Sequence, residues 1–524
     1  MRCKRFTRLA AGLAFIAGPA LADAGTAEDR AALFDDLLAK TLARGAFSDF
    51  KLQALGYDIR ESMMAVRDEV VTAETDHALY YALVKMSNAR HDRHLSVTAA
   101  EGGIAVPDDP GVAAPIRFHT DYSTPGGYFL FVADFAKDVA RLSPDGQAPQ
   151  IGDRLVAVNG QPADDYIAAL EPYHRYSSVN GFWQRMAPTV NEKKRFMPPS
   201  LYQDTLTVTL QGTDGTAYDL TLPYLEADEI DWAGHSDRVF TGFALVEKRT
   251  TFDLYRHAGG HNVLVIAWHR FGSKLIEDMD WLMATARENG WLGHDIIWDG
   301  TRSGGGSKGV YALQRLTPRP FKTTFGNLRI SDITGEFARR KIADIDTDAA
   351  RDSGVTETVD AGWWLRDWLA NDVMKGIQAG QAYTNNVPFK SAHLPKWSDG
   401  IARPADVHFT GRMVCLFLPN GGSHLDQFAS MVIDNRLCHA IGMPAGGYSN
   451  TWEWEEAVRF PISGKPVVTF MWNIGHTIRP NGQILEGNPA QVHEFIPVTG
   501  ENFSDYYDIL LERAFKALDR QAGG

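Results

Sequence analysis

The feature that most constrains what this chain can fold into is the alternation of segment types in its second half. From about Asp237 onward, short apolar runs at 262–268, 295–298 and 413–418 read as buried strands, and the stretch 275–288 between them has helical periodicity. Strands apolar on both faces need a sheet covered on both sides, and helices between such strands supply the cover. An α/β domain with a largely parallel core sheet is therefore expected over 229–524. A long insertion at 317–406 interrupts the alternation. It carries an amphipathic helix with Trp364, Leu365, Trp368, Leu369 and Met374, whose spacing predicts a stripe that faces the core.

The first half has two textures. Over 23–105, Ala32, Leu33, Leu37 and Leu38 recur at helix spacing, as do Met63, Val66, Val70 and Val71, and no proline interrupts them. An N-terminal helical region is expected. Over 106–228 the pattern changes to β-like runs at 128–132, 154–158 and 206–210, punctuated by Asn159-Gly160 and Asp214-Gly215 turns. Within it, 175–199 reads as an irregular insertion.

Residues 1–22 have the layout of a cleaved secretory leader. Arg2, Lys4, Arg5 and Arg8 precede a short apolar run, and Ala20-Leu21-Ala22 offers a small-residue cleavage site before Asp23. The run is shorter than the roughly 20 residues that span a bilayer. A periplasmic or secreted protein with no membrane span is expected. The chain's net charge is −13, and about −17 without the basic leader. Nucleic acid and anionic lipid need basic patches, so neither is expected as a partner. Beyond the leader only Cys415 and Cys438 remain, on flanks that read as neighbouring strands, and a disulfide between them is one possibility.

Three segments could carry chemistry. In the first, the apolar strand at 413–418 runs through Asn420-Gly421-Gly422 to Ser423-His424-Leu425-Asp426 and an amphipathic helix. A helix N-terminus presents unpaired N–H groups and a positive dipole end, which stabilise an oxyanion beside a serine placed there. The plain alternative is that Ser423 is only an N-cap with Asp426 as its partner. The second segment is the Asp295–Asp299 run followed by Gly300-Thr301-Arg302-Ser303-Gly304-Gly305-Gly306. The third is Ile151-Gly152-Asp153-Arg154-Leu155-Val156-Ala157-Val158-Asn159-Gly160.

Together these segments resemble, in the same order along the chain, the C-terminal processing (tail-specific) serine peptidases. That resemblance implies a crotonase-like (ClpP/crotonase) α/β catalytic core over 229–524, a PDZ-like β-rich domain over 106–228 and an N-terminal helical region. It makes Ser423 the nucleophile, the amides of His424 and of Gly305 or Gly306 the oxyanion hole, and Gly152, Asp153 and Leu155 part of a peptide-binding element. The chain departs from the family pattern at Asp426, where Glu is usual, and at Thr301 and Ser303, where Arg and Asn stand. The largest departure is Tyr448, at the position of the family's general-base lysine; the next lysine is Lys465.

A serine needs a partner to take its proton. The branch of tricorn-core peptidases and the chlamydial protease-like activity factor uses a histidine and a glutamate instead. His91-Asp92-Arg93-His94 resembles its histidine segment, and Asn481-Gly482-Gln483-Ile484-Leu485-Glu486-Gly487 its glutamate segment. The resemblance thus implies Ser423 attacking a peptide carbonyl, His94 as base and Glu486 orienting it, with Asp426 a second candidate for that orienting role. His91 and His94 lack the further ligands of a zinc site, and no cofactor is called for. Protein or peptide substrates are the implied partners. Two rival readings stand beside this one: an inactive peptide-binding scaffold of the same fold, and an esterase or amidase for a non-peptide acyl group.

Overall fold

The computed structural model describes residues 24–144, 146–235, 237–347, 364–388, 400–449 and 452–522. The expected leader and the parts of the long insertion at 348–363 and 389–399 lie outside the described residues. The apolar runs of the second half become the middle of a seven-stranded sheet. Its order is Phe243–Lys248, Phe252–His257, Val263–Trp268, Asp295–Asp299, Met413–Phe417, His439–Gly442 and Glu494–Phe495. The first three strands pair antiparallel, and from Val263–Trp268 onward every neighbour is parallel.

The alternation of side chains along each strand explains why both faces are apolar. Leu264, Ile266 and Trp268, with Ile296, Trp298, Cys415 and Phe417, pack against the helices Leu275–Glu288, Gly309–Leu316 and His424–Asp434. The intervening Val263, Val265, Ile297, Val414 and Leu416 pack on the other side against the C-terminal helix Tyr506–Ala522 through Leu510, Leu511, Ala514 and Leu518. Cys415 and Cys438 are buried in the first of these layers as free thiols.

The second sheet is six-stranded and antiparallel, built on Ile116–Asp121, Phe129–Phe135, Arg154–Val158, Thr205–Gln211 and Ala217–Pro223, with Gln161–Pro162 beside the third. The stretch 175–199, expected to be irregular, contains the helix Val179–Thr189. Ser178 caps it by accepting from the Gly181 amide at 3.1 Å, and Phe182 and Met186, one turn apart, are buried against the sheet. Pro188 does not prevent it, because the helix ends one residue later.

The N-terminal helices, from Ala27–Arg44 to Asp76–Asn88, do not have a core of their own. Leu33, Phe34, Leu37, Leu79 and Leu83 share one with Val467, Val468, Phe470 and Trp472. The latter lie on a small antiparallel sheet of Val97–Ala99, Pro466–Asn473 and Glu453–Arg459. The insertion joins the same core: Trp368 and Leu369 are buried, and Trp368 stacks on Trp452 at 5.6 Å. No helix among the described residues is long and apolar enough to cross a membrane.

Candidate active site

The strand Met413–Phe417 delivers the chain to Gly421 and Gly422, and both glycines are required by what surrounds them. A Cβ on Gly421 would lie 1.9 Å from the Ser303 carbonyl oxygen, and one on Gly422 2.3 Å from the Tyr448 ring. Ser423 follows with φ +60° and ψ −122°, a conformation that costs a non-glycine residue about 1–3 kcal/mol. Its neighbours hold it there. The Ser423 amide donates to the Tyr448 carbonyl at 2.6 Å, and the Gly446 amide to the Gly421 carbonyl at 2.8 Å. The helix His424–Asp434 starts at the next residue, and the Ser423 hydroxyl makes no capping bond to it. The serine stands at the N-cap position but its side chain does not do the capping that the local pattern alone allows.

Asp426 has a different task from both of those considered for it. Its two oxygens accept from the amides of Gly447 at 3.1 Å and Tyr448 at 3.0 Å. It thus fixes the turn whose carbonyl holds Ser423. Burial pushes its carboxyl up to about 7, against the pull of those two amides.

The glycine-rich segment closes one side of the serine. A Cβ on Gly305 would lie 2.7 Å from Ser423 Cβ and 3.1 Å from its Oγ, so only glycine lets the two backbones approach. Gly306, at φ +137°, instead pairs with Phe271, where a Cβ would meet the Phe271 carbonyl oxygen at 1.9 Å. The segment is pinned from below. Buried Asp299 accepts from the Thr301 amide (2.9 Å) and hydroxyl (2.7 Å) and from Arg238 (3.0 Å), while Asn420 donates to the Thr301 carbonyl at 2.9 Å. His424 contributes its backbone at the helix start. Its imidazole is buried, accepting from the Gly309 amide at 2.7 Å and packing edge-on against Phe271.

His94 arrives from the turn after the N-terminal helices. Its amide donates to Asp92 Oδ1 at 3.0 Å, and Asp92 Oδ2 accepts from Asn473 at 3.2 Å. The Arg93 amide is held by Ser177 Oγ at 3.0 Å. The His94 ring stands edge-on to Tyr448, centroids 5.1 Å apart, so the tyrosine at the lysine position packs against the histidine. Burial pushes the His94 imidazole down to about 4, and Nδ1 is buried with no hydrogen-bond partner. His94 and Ser423 line one cavity of about 640 Å³, together with Phe337, Trp452, Glu453 and Trp454. No hydrogen bond among the described residues joins the Ser423 hydroxyl to His94. The imidazole is neutral over the ordinary pH range.

Glu486 is fully buried and bonded to Lys51 at 3.1 Å rather than to His94. Burial and the Asp92 charge push its carboxyl up to about 8, while Lys51 opposes them. The residues of the second sheet are engaged within the fold. Leu155 is in that sheet's core, Asp153 accepts from the Gln150 amide and the Tyr218 hydroxyl, and Gly152 lies against Gly500, where a Cβ would be 3.0 Å from its carbonyl oxygen. Sequence reasoning missed Lys51, Asp92 and Ser177 as neighbours of these groups. Asp92 stands two residues before His94 and was within reach; a lysine on a helix reads as a solvent-facing residue. No group of three or more His, Cys, Asp or Glu among the described residues could hold a metal ion.

No protein-family model matches the chain, and no curated protein matches it. Solved structures do. That of mature CPAF complexed with lactacystin has a TM-score of 0.69 at 16% identity, covering 94% of this chain and 99% of that one. Mature CPAF alone has 0.68 at 15%, covering 94% and 98%. The photosystem II D1 C-terminal processing protease shares less, with a TM-score of 0.38 at 12% identity over 90% and 93%. The fold is that of the CPAF-like serine peptidases, the branch that the sequence motifs resemble.

Proposed function

We propose that the chain is an exported serine endopeptidase of the tail-specific type, working through an acyl-enzyme on Ser423 with His94 as general base. On this reading the seven-stranded sheet and its helices are the crotonase-like core and the six-stranded sheet is the PDZ-like domain. Ser423 Oγ attacks the peptide carbonyl as its proton passes to the His94 imidazole. The C–N bond breaks, the leaving amine takes that proton, and water repeats the cycle on the ester. The amides of His424 and Gly305 face the developing oxyanion. Glu486 acts on the histidine loop from behind. The observation that carries the reading is that a serine held at φ +60°, with its hydroxyl uncommitted to its own helix, shares a cavity with a neutral histidine.

A second reading, an inactive scaffold of the same fold, has one observation in its favour: Ser423 and His94 are not hydrogen-bonded. Catalytic hydrogen bonds are often made only when substrate is bound, so labelling decides between the two. Purified mature protein is treated with a fluorophosphonate beside Ser423→Ala and His94→Ala. Labelling of the wild type that both substitutions abolish is expected. No labelling of the wild type favours the scaffold, and labelling that survives Ser423→Ala removes the nucleophile. Export rests on the leader, and N-terminal sequencing of protein recovered outside the cytoplasm should begin at Asp23.

A further inference from the structure

Lys51 belongs to the short helix Ser48–Leu55, far in sequence from every residue assigned above, yet it is 1% exposed. A buried ammonium has to be paired and hydrogen-bonded to be tolerated. Lys51 Nζ donates to three acceptors: the Arg90 carbonyl at 3.0 Å, the His91 carbonyl at 2.5 Å and Glu486 Oε1 at 3.1 Å. Two of these lie on the turn that carries His94 and the third is Glu486 itself. The rest of that turn is tethered residue by residue, through Asp92, Ser177 and Asn473. His91, at φ +49°, is clamped between Tyr57 and Tyr176. One side chain thus joins the histidine turn and the glutamate loop.

We infer that Lys51 is a positioning residue for the proposed reaction. Its ammonium binds the His94 turn and the Glu486 side chain into one rigid unit, and favours the charged form of that carboxyl, the form that supports the base. The inference rests on the proposed roles of Ser423 and His94. The N-terminal helices are then part of the catalytic machinery, because they supply the counter-charge.

The groups that face Glu486 are Lys51, Asp92 from the histidine turn and Ser177 from the loop before Val179–Thr189. Around Lys51 stand Glu486, the two carbonyls, the Phe47 ring and the His91 imidazole. Of these only Lys51 carries a positive charge next to the carboxylate. With Lys51 removed, Asp92 and burial act on Glu486 unopposed, and the carboxyl titrates at higher pH.

The test is the pH profile of fluorophosphonate labelling for wild type, Lys51→Met, Lys51→Arg and the double variant Lys51→Met/Glu486→Gln. The double variant removes both buried charges, so it folds even if Lys51→Met alone does not. Lys51→Met should move the acid limb of labelling up by about one pH unit, a fall of about tenfold below both midpoints. Lys51→Arg should restore most of the rate. The double variant should be folded, slow to label, and without that limb. A limb that stays at the wild-type pH in Lys51→Met, or a double variant that labels at the wild-type rate with the wild-type profile, overturns the inference. A wild type that does not label at all instead refutes the reading of Ser423 on which it rests.

Discussion

Replacing Asp426 by Asn keeps the size of a fully buried side chain but takes away one of its two acceptors. In the wild type both oxygens are used, by the amides of Gly447 and Tyr448. In the variant the amide nitrogen must face one of those N–H groups. A buried donor left unsatisfied costs about 1–3 kcal/mol. Against this stands a penalty that the wild type alone carries. Its carboxyl rises from 3.8 in the unfolded chain to about 7 in the folded one. The native state therefore holds a proton that the unfolded state has released, and stability falls as pH rises from the first value through the second. The full effect is about 4 kcal/mol, of which about 3 kcal/mol lies between about pH 5 and about pH 8. Asn has no such dependence. The variant's deficit should be fullest, about 1–3 kcal/mol, only where the carboxyl is protonated in both states. Near pH 5 about 1.5 kcal/mol of it is already offset, and near pH 8 the variant should be the more stable protein. Urea denaturation followed by tryptophan fluorescence at the two pH values gives both numbers. A deficit for the variant that is the same at both would mean that Asp426 is ionised throughout. The reasoning from its burial would then be wrong.

Gly305→Ala places a Cβ 3.1 Å from Ser423 Oγ, so labelling by a fluorophosphonate should fall by about a hundredfold or more, with far-UV circular dichroism unchanged. Trp298 is fully buried and stacks on Phe428 at 4.5 Å. Trp298→Ala should cost about 3–5 kcal/mol in denaturant unfolding, with the loss falling on the core beneath the site. Lys51→Met leaves the buried Glu486 without its donor and should cost about 1–3 kcal/mol. Adding Glu486→Gln should return part of that in the same unfolding measurement, a coupling that independent sites would not display.

The seven-stranded sheet was legible in the sequence because its strands are apolar on both faces, a pattern that survives without knowledge of their partners. The helix Leu275–Glu288 was read to the residue for a related reason: Leu275, Met279, Leu282 and Met283 declare one face. The helix Val179–Thr189 was not legible, since Pro188 and the asparagines around it are turn signals, and its apolar face makes sense only against the second sheet. At the site, the serine, the glycine run and the histidine turn were singled out by the family resemblance, since a strand, a turn and a serine alone equally allow an N-cap. The partners of Asp426 and Glu486 were not. Their bonds run to Tyr448 and to Lys51, and no spacing rule links a carboxylate to an amide or an ammonium brought to it by tertiary folding. Tyr448 stands where the resemblance puts the lysine, and its packing across Gly422 and against His94 depends on ring geometry that a sequence does not carry.

The core shared by the N-terminal helices and the strand Pro466–Asn473 has a consequence for biosynthesis. A ribosome makes Leu33, Phe34 and Leu79 long before it makes Val468, Phe470 and Trp472, which cover them. Until then the early helices hold an open apolar face, the situation in which chaperones bind and proteases cut. Chains arrested before residue 466 are accordingly expected to be digested rapidly within their first hundred residues, and longer ones to resist. His94 is set in place by the same late event. On the proposed reading, such a chain cannot attack while it is still being made, because the proposed base waits for strands that are synthesised after the proposed nucleophile.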